Sequence, residues 1–309
     1  MSHANTVSTP SLKVWINAAR PRTLALAAAS IGLGILLAAA HGPLNGLLAA
    51  LTLATALLLQ ILSNLANDYG DSLHGADSQS RVGPRRAVQS GLISRRAMQQ
   101  AIVAVVVVTA ICGLAMVWIA FGRTAIYLVL IFLLLGAAAI WAAIAYTASS
   151  RPYGYVGLGD LFVFLFFGWV GVLGSYYLQR HQLPPDLLLP ATSCGLFAVG
   201  VLNVNNIRDL RSDREAGKMS VPVRLGPQRA RVYHWMLLIG GFGAALLYVL
   251  LNYQSPWQFL FLLTTPLLLR NGLSVSRRYE AHELDPLLKQ LSITTLLFVL
   301  TFGVGHLLA

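Results

Sequence analysis

Long apolar runs constrain this chain more than any other feature of its sequence. Each is close to the roughly 20 residues needed to cross about 30 Å of hydrocarbon. We find nine such runs, at 23–41, 44–66, 98–121, 124–147, 158–179, 186–207, 231–251, 255–273 and 288–309. Charged residues make up only 11% of the chain, whereas they are about a quarter of an ordinary soluble domain. The sequence therefore predicts an all-α, multi-pass membrane protein with nine transmembrane helices.

Basic residues are divided unequally between the two sides of the predicted bundle. Of the 22 Lys and Arg residues, 20 lie in the N-terminal segment or in the loops after predicted helices two, four, six and eight. Only Arg123 and Arg180 lie in loops on the other side. Because cytoplasmic loops carry the excess of Lys and Arg, the N-terminus is predicted to be cytoplasmic and the C-terminus to lie on the far side. This topology accounts for the net charge of +11, so no nucleic-acid partner is expected.

The first 22 residues differ from the rest of the chain. We expect residues 1–13 to be a disordered tail, because they are mostly small and polar. Trp15 lies between Lys13 and Arg20, a combination typical of a short segment at the membrane interface. The chain is thus predicted to consist of an N-terminal tail and interfacial segment, residues 1–22, and one intramembrane domain, residues 23–309.

The domain also shows a sign of internal duplication. Asn67-x-x-x-Asp71 recurs as Asn205-x-x-x-Asp209, 138 residues later, and each pair ends the second helix of a four-helix block. Repeats of this kind place the active elements at the interface between the halves. We therefore predict two repeat-like halves, about 23–147 and 158–273, with the ninth helix added to them, around a central cavity.

Two polar stretches interrupt the apolar pattern, and both follow the end of a predicted membrane helix. Only eleven residues are acidic in the whole chain, and carboxylates at the end of a membrane helix indicate a functional site. The first stretch, 64–91, contains Asn64, Asn67, Asp68, Asp71, Asp77, Arg81, Arg85, Arg86 and Gln89. The second, 203–226, contains Asn205, Arg208, Asp209, Asp213 and Lys218.

The spacing within these stretches indicates a metal site. Residues four apart share one face of a helix, which pairs the oxygen ligands of Asn67 with Asp71, and those of Asp209 with both Asn205 and Asp213. Oxygen ligands without His or Cys favour Mg²⁺, which proteins usually hold with one or two carboxylates and substrate phosphates. Two facing half-sites would suit a bound diphosphate. The alternative is that these aspartates pair with nearby arginines and only hold the loops; calcium is disfavoured by the absence of EF-hand spacing.

The two stretches carry a family resemblance. NDYGDSLHGAD resembles the first aspartate-rich motif of the UbiA-type intramembrane prenyltransferases, and NNIRDLRSDREAGK resembles their second. Further strings are similar to the branch of that superfamily that prenylates 1,4-dihydroxy-2-naphthoate in menaquinone synthesis. These strings are ARPRTL (19–24), RVGPRRAVQSG (81–91), GYVGLGDLFVFLFFG (154–168) and VLNVNNIRDLRSDREAGKMSVPVRLG (201–226).

The resemblance implies a reaction and a location. A polyprenyl diphosphate would prenylate 1,4-dihydroxy-2-naphthoate with loss of CO₂ and diphosphate, giving demethylmenaquinone, with Mg²⁺ as cofactor. The enzyme would lie in the bacterial cytoplasmic (inner) membrane, in contact with lipid, with its active site on the cytoplasmic side. The closest alternative is a UbiA-type enzyme for another aromatic acceptor, such as 4-hydroxybenzoate. A phosphatidyl-CMP transferase is disfavoured because its single DGxxAR motif is absent, and a transporter because its carboxylates are expected nearer the middle of the membrane.

The resemblance also implies roles for individual residues. The implied metal ligands are Asn67, Asp71, Asp77, Asn205, Asp209 and Asp213, and the implied catalytic groups are Asp71, Asp209, Asp213, Lys218 and Arg81. The implied substrate-binding residues are Asn64, Asp68, Arg81, Gln89, Tyr146, Arg151, Asp160, Arg208 and Lys218. The first motif departs from the family pattern NDxxDxxxD, because Asp77 follows Asp71 by six residues and not four. We further expect Phe162, Phe164, Phe166 and Phe167 to line the path of the prenyl chain.

Overall fold

The computed structural model describes residues 10–74, 86–122 and 125–309. Helices and the turns that connect them account for these residues, and no strand occurs among them. The α-helices are α1 Leu12–Ala19, α2 Pro21–Ala40, α3 Gly46–His74, α4 Arg95–Phe121, α5 Ile126–Ala145, α6 Gly159–Val163, α7 Gly174–Arg180, α8 Leu188–Arg208, α9 Leu210–Glu215, α10 Val221–Leu225, α11 Pro227–Leu251, α12 Thr265–Arg277 and α13 Ala281–Leu307. A π-helix spans Phe164–Leu173, and 3₁₀ helices span Tyr153–Val156, Pro185–Leu187 and Pro256–Thr264.

Nine helical segments within the described residues are long and apolar enough to cross a membrane. Six of them are single helices, namely α2, α3, α4, α5, α11 and α13. The other three join consecutive helical pieces, over Gly159–Arg180, Pro185–Arg208 and Pro256–Arg277. The all-α, nine-span prediction is therefore confirmed.

Two helices extend beyond their predicted apolar runs by more than a few residues. The second span was expected to end at residue 66, but α3 continues to His74. The last span was expected to begin at residue 288, but α13 begins at Ala281. Both extensions are polar, and an apolar pattern alone could not reveal that their side chains find partners inside the protein.

The N-terminal segment forms a short helix before the first membrane span. The chain reverses at Arg20, which has a left-handed backbone with φ of 51°, and α2 starts at Pro21. Ala18 of α1 is buried in a cluster with Leu65 of α3 and Met98 of α4. The predicted tail was therefore too long, because α1 already includes residues 12 and 13; residues 1–9 lie outside the described residues.

Most of the core lies on one side of the bundle. Helix α13 packs along α2 and α8, and α8 also packs against α11 and the π-helix. Rings from three spans meet in this core, where Phe298 contacts Phe197 and Phe261 edge to face. By contrast, α4 and α5 bury few of their residues and direct apolar side chains outward, as suits helices that face lipid. Helices α3 and α8, which carry the two polar stretches, flank α2; the division into two repeat-like halves stays a prediction.

Helix α2 approaches the π-helix closely enough for backbone contact. Ser30 of α2 donates a hydrogen bond of 2.6 Å to the carbonyl oxygen of Phe167 in the π-helix. Ser175 of α7, which follows the π-helix directly, donates one of 2.7 Å to the carbonyl oxygen of Gly171. These hydroxyls satisfy carbonyl groups at a place where the helical hydrogen-bond pattern is irregular. A Cβ atom on Gly34 would lie 2.2 Å from the carbonyl oxygen of Val172. The close approach therefore requires glycine at position 34.

We expect Gly34→Ala to destabilise the protein by about 1–3 kcal/mol, the usual cost of overpacking a core, because the carbonyl group it meets cannot rotate away. The melting temperature of the detergent-solubilised protein should fall. Gly32→Ala is the matched control, two residues earlier on α2, because its Cβ would meet no atom within 4 Å. Equal melting temperatures for the two variants would contradict the proposed role of Gly34.

Candidate active site

A cavity of about 360 Å³ lies between α2, α3, α5, α8 and the π-helix. The two polar stretches contribute six residues to its lining, which are Asn64, Asn67, Asp71, Arg86, Asn205 and Lys218. The other polar members of the lining are Arg20, Arg22, Thr23, Ser30, Thr52, Thr55, Gln60, Ser63, Tyr146, Tyr153 and Ser175. The rest of the lining is largely apolar, with Leu26, Ile31, Leu59, Phe132, Leu135, Phe162, Phe166, Phe167, Val170 and Leu178 among its members. The cavity thus combines one charged end with an apolar body.

The first polar stretch reaches the cavity through the last turns of α3. Asn67 and Asp71 lie one turn apart and both line the cavity. Thr147, just after α5, donates a hydrogen bond of 2.9 Å to Oδ1 of Asn67. Asp71 is buried, forms an ion pair with Arg86 and accepts a hydrogen bond of 3.2 Å from the hydroxyl of Tyr155.

The second polar stretch turns back on itself after α8 ends. Arg208 donates to both carboxylate oxygens of Asp209, at 2.8 Å and 2.7 Å, and to Oδ1 of Asn205 at 2.9 Å. Asp213 follows on α9, and Nζ of Lys218 lies 3.3 Å from its Oδ1. The other carboxylate oxygen of Asp213 is buried and accepts no hydrogen bond from the residues that the structure describes.

Tyr155 connects the two stretches. Its hydroxyl bonds to Asp71, its ring centroid lies 6.0 Å from Nζ of Lys218, and its carbonyl oxygen accepts from the amide of Met219 at 2.8 Å. The sequence interpretation missed this residue, although it lies in one of the strings that carried the resemblance. Tyr155 thus brings the end of α3 and the segment after α8 together at the charged end of the cavity, whereas Asp209 and Asp213 themselves lie outside the cavity lining.

The electrostatics of Asp213 and Lys218 reflect their burial. Burial raises the pKa of Asp213 to about 6, and the neighbouring Lys218 only partly offsets this effect. Burial alone would lower the pKa of Lys218, but the carboxylates of Asp213, Asp71 and Asp209 raise it above its usual value. Lys218 is thus a permanent cation, whereas Asp213 would gain from further positive charge at the cavity end.

A fourth acidic residue, which the sequence interpretation missed, completes the charge network. Asp285, in the second turn of α13, accepts hydrogen bonds of 3.0 Å on both oxygens from Arg22 of α2, and it also pairs with Arg208. It thereby links the first, sixth and ninth spans. Its position was detectable in principle, since it is an acidic residue at the start of a membrane span.

Some predicted substrate-binding residues have structural partners. Asn64 lines the cavity but donates to the carbonyl oxygen of Ala19 at 2.8 Å and to the hydroxyl of Thr23 at 2.9 Å, which ties α3 to the start of α2. Asp68 accepts from the backbone amides of Ala87 and Val88 at 2.9 Å and 3.1 Å. It does not line the cavity, nor does the nearby Gln89.

The remaining predicted residues are spread more widely. Tyr146 lines the cavity, whereas Arg151 is exposed and outside its lining. Asp160 also lies outside the lining and accepts a hydrogen bond of 3.0 Å from Tyr233. Of the four phenylalanines, 162, 166 and 167 line the cavity, while Phe164 packs against Trp169 with ring centroids 5.4 Å apart. Asp77, Arg81 and Arg85 lie outside the described residues.

The donor set at the charged end fits a hard divalent cation. Within the ranges that the structure describes, no three acidic, His or Cys side chains lie close enough together to hold a metal, and Asp71, Asp209 and Asp213 each pair with a basic residue. All the candidate ligand atoms are carboxylate or amide oxygens, and one buried oxygen of Asp213 accepts no hydrogen bond from the described part of the chain. Mg²⁺ typically takes one or two such carboxylates and completes its shell with water and phosphate oxygens.

Comparison with known proteins identifies the family. The model of the UbiA prenyltransferase family matches residues 25–302. The chain belongs to the UbiA prenyltransferase family. This membership confirms the resemblance found in the sequence.

Individual relatives of this UbiA-family chain are similar over nearly their whole length. It is 48% identical to a 1,4-dihydroxy-2-naphthoate octaprenyltransferase of Escherichia coli, over 93% of this chain and 94% of that protein. It is 42% identical to a protein of the same name from Haemophilus influenzae, over 96% of each chain. Among solved structures, a UbiA homolog from Archaeoglobus fulgidus bound to GPP and Mg²⁺ has a TM-score of 0.64 at 16% identity, covering 96% of this chain and 100% of that one. This structural likeness supports the fold.

Asp285 gives a test of the charge network. We expect Asp285→Asn to lower the melting temperature in detergent, because it takes a carboxylate from Arg22 and from the buried Arg208; losing such a partner costs about 1–3 kcal/mol. Glu283→Gln, two residues earlier on α13, is the control, since the Glu283 carboxylate makes no hydrogen bond with the described residues. If both variants melt at the wild-type temperature, Asp285 does not stabilise this end of the bundle.

Proposed function

We propose that this UbiA-family protein transfers a polyprenyl group from polyprenyl diphosphate to 1,4-dihydroxy-2-naphthoate, with loss of CO₂ and diphosphate, to give the hydroquinone form of demethylmenaquinone. The observation that carries the proposal is the division of the cavity into a charged end and an apolar body. A polyprenyl diphosphate has the same division, with an anionic head and a hydrocarbon chain. The two relatives at 48% and 42% identity, both named 1,4-dihydroxy-2-naphthoate octaprenyltransferase, support the choice of acceptor.

The charged end would bind the diphosphate. Lys218 and Arg86 line the cavity and now pair with aspartates, so both can transfer their hydrogen bonds to phosphate oxygens. Asn67, Asp71, Asn205, Asp209 and Asp213 would hold the cation, together with Asp77 from the first motif, and Arg81 is proposed as a further phosphate ligand. Bound Mg²⁺ would neutralise charge on the leaving diphosphate.

The cavity wall beside the charged end would protect the allylic cation. The rings of Tyr153 and Phe162 stack with centroids 4.1 Å apart, and both line the cavity. The hydroxyl of Tyr153 donates a hydrogen bond of 2.8 Å to the carbonyl oxygen of Ala142. Because this bond holds the hydroxyl, we do not expect it to attack the cation as a nucleophile. Ring faces stabilise a nearby cation, and a dry wall keeps water from capturing it.

The bonds and electrons of the chemical step balance between the two substrates. The bond between the allylic carbon and the diphosphate oxygen breaks, and the oxygen keeps the electron pair. The electron-rich naphthol ring supplies the pair for the new carbon–carbon bond. The carboxylate leaves as CO₂, and the electrons of its bond to the ring restore aromaticity. The chain's residues contribute by stabilising the developing diphosphate charge, for which fixed cations in a dry site are effective.

We also propose an orientation in a bacterial cytoplasmic membrane. The excess of basic residues in the N-terminal segment and the loops on that side supports a cytoplasmic N-terminus and active site, with the C-terminus on the far side. Polyprenyl diphosphate would then enter with its head at the cytoplasmic surface and its chain in the bilayer.

An acceptor assay tests the proposed reaction. Purified protein in nanodiscs receives a polyprenyl diphosphate and either 1,4-dihydroxy-2-naphthoate or 4-hydroxybenzoate, with Mg²⁺ or with EDTA, and mass spectrometry follows product and CO₂. We expect prenylated product with CO₂ release from the naphthoate only, and only with Mg²⁺. If only the benzoate gives product, the protein is a prenyltransferase but the proposed acceptor is wrong. Turnover in EDTA would refute the proposed metal site.

A pair of Asp→Asn variants tests the charged end separately. We expect Asp213→Asn to reduce kcat at least about 100-fold, the range for losing a group that stabilises charge in the transition state. Asp186→Asn is the control, since Asp186 lies before α8, at the end of that helix opposite the site. Folding of both is checked by size-exclusion chromatography. Wild-type turnover by a folded Asp213→Asn protein would remove Asp213 from the site.

A further inference from the structure

The ring of Tyr146 lies against two glycines, Gly154 in the 3₁₀ helix after α5 and Gly159 at the start of α6. A Cβ atom on Gly159 would lie 3.1 Å from Cε2 and 3.2 Å from the hydroxyl oxygen of Tyr146. A Cβ atom on Gly154 would lie 2.8 Å from the same Cε2. Any side chain at either position therefore competes with the tyrosine ring for space. Position 159 is the more permissive of the two, because a Cβ on Gly154 would also meet the carbonyl oxygen of Tyr146 at 2.7 Å.

The backbone of the turn and a neighbouring ring limit where the ring of Tyr146 can move. The amide of Gly154 donates to the carbonyl oxygen of Tyr146 at 3.1 Å, which closes the turn behind the ring. The ring of Tyr153 stands nearly perpendicular beside it, with centroids 5.3 Å apart, and is itself held by Ala142. Tyr146 also lines the cavity, which offers space next to the ring. A ring pushed off the glycines would thus move into the cavity.

The part of the cavity next to Tyr146 has the form expected for a flat aromatic ligand. Tyr153, Phe162 and Phe166 form a row of nearly parallel rings along the wall, with interplanar angles of 25° and 21° between successive members. Tyr146 stands across the end of this row, at 73° to the ring of Tyr153, and lines the cavity together with Lys218. An acceptor stacked on the row would therefore have Tyr146 at its edge and the charged end of the cavity nearby.

We propose that Gly154 and Gly159 set the width of the acceptor site by holding the ring of Tyr146 out of the cavity, and so select a two-ring acceptor over a one-ring one. The inference rests on the proposed function for the identity of the acceptor. The glycines act as positioning residues, because they do not line the cavity themselves and work only through the tyrosine. A one-ring acceptor leaves this width unfilled, whereas the second ring of a naphthoate occupies it.

A matched pair of ligands measures the effect of the second ring on binding affinity, without requiring turnover. 1-Hydroxy-2-naphthoate and salicylate share the same adjacent hydroxyl and carboxylate groups and differ only in the fused ring. We would measure the dissociation constants of both for the purified protein in nanodiscs, using the fluorescence of the naphthoate and competition by salicylate. The wild-type protein should bind the naphthoate at least about tenfold more tightly, since differences of about a methylene in a pocket already give 10- to 200-fold discrimination.

Gly159→Ala is the decisive variant. It should cut the preference for the naphthoate about tenfold or more, while the affinity for salicylate and the KM for polyprenyl diphosphate stay near the wild-type values. Gly243→Ala is the control, because its methyl group would meet no atom within 4 Å and lies on α11 outside the cavity lining. The proposal is overturned if Gly159→Ala keeps the wild-type preference for the naphthoate, or if it loses affinity for both ligands equally.

Two further results keep the test independent of folding and of the proposed reaction. If Gly159→Ala does not accumulate as folded protein, Tyr146→Trp fills the same width from the tyrosine side and should lower the naphthoate preference in the binding assay; an unchanged preference overturns the proposal. If wild-type protein shows the preference but does not prenylate 1,4-dihydroxy-2-naphthoate, the reaction is wrong and the width inference stands. Wild-type protein that does not prefer the naphthoate overturns the inference even if prenylation occurs.

Discussion

The structure depends on pairing charges at the end of a membrane-spanning bundle. Three aspartates from the two polar stretches are buried there, and each has a cationic partner, Arg86, Arg208 or Lys218. A buried charge without a partner would cost several kcal/mol, and each of these three pairs forms within its own polar stretch. Pairs between spans come from Asp285 on the ninth span, which contacts Arg22 on the first and Arg208 on the sixth. Tyr155 connects the two stretches themselves, through its hydrogen bonds to Asp71 and to the amide of Met219.

The same pairs that hold the fold also prepare it for an anionic ligand. A cation that now balances an aspartate is within reach of the cavity, so a diphosphate with its metal can replace the protein's own ion pairs without leaving any charge unpaired. The apolar body of the cavity is formed by close packing and not by charge pairs. Backbone contact between α2 and the π-helix, at Gly34 and at the Ser30 hydroxyl, packs one wall tightly, and aromatic rings line the other.

Sequence reasoning was most accurate where a pattern has one physical explanation. Runs of about 20 apolar residues predicted membrane helices, and nine such spans are found among the described residues. Of the oxygen ligands predicted from helical spacing, Asn67, Asp71 and Asn205 line the cavity, whereas Asp209 and Asp213 lie outside its lining; their role as metal ligands stays a prediction. It was least accurate where one residue type has two uses. Asp68 and Asn64 looked like their neighbours in sequence, but their oxygen and nitrogen atoms bond to backbone groups and the Thr23 hydroxyl. Only the positions of those partners separate a structural carboxylate from one that faces a ligand.

The sequence by itself determined the membrane class, the nine spans, the family and the two aspartate-rich stretches, because each depends on composition or on spacing along a single helix. Tertiary structure decided which residues share a site. Tyr155, Thr147 and Asp285 reach the charged end from other segments of the chain, whereas Arg151 and Asp160 remain outside the cavity lining. It also decided the place of the Tyr146 ring, through two glycines that carry no side chain of their own. Contacts between distant segments follow from packing in three dimensions, and no local pattern encodes them.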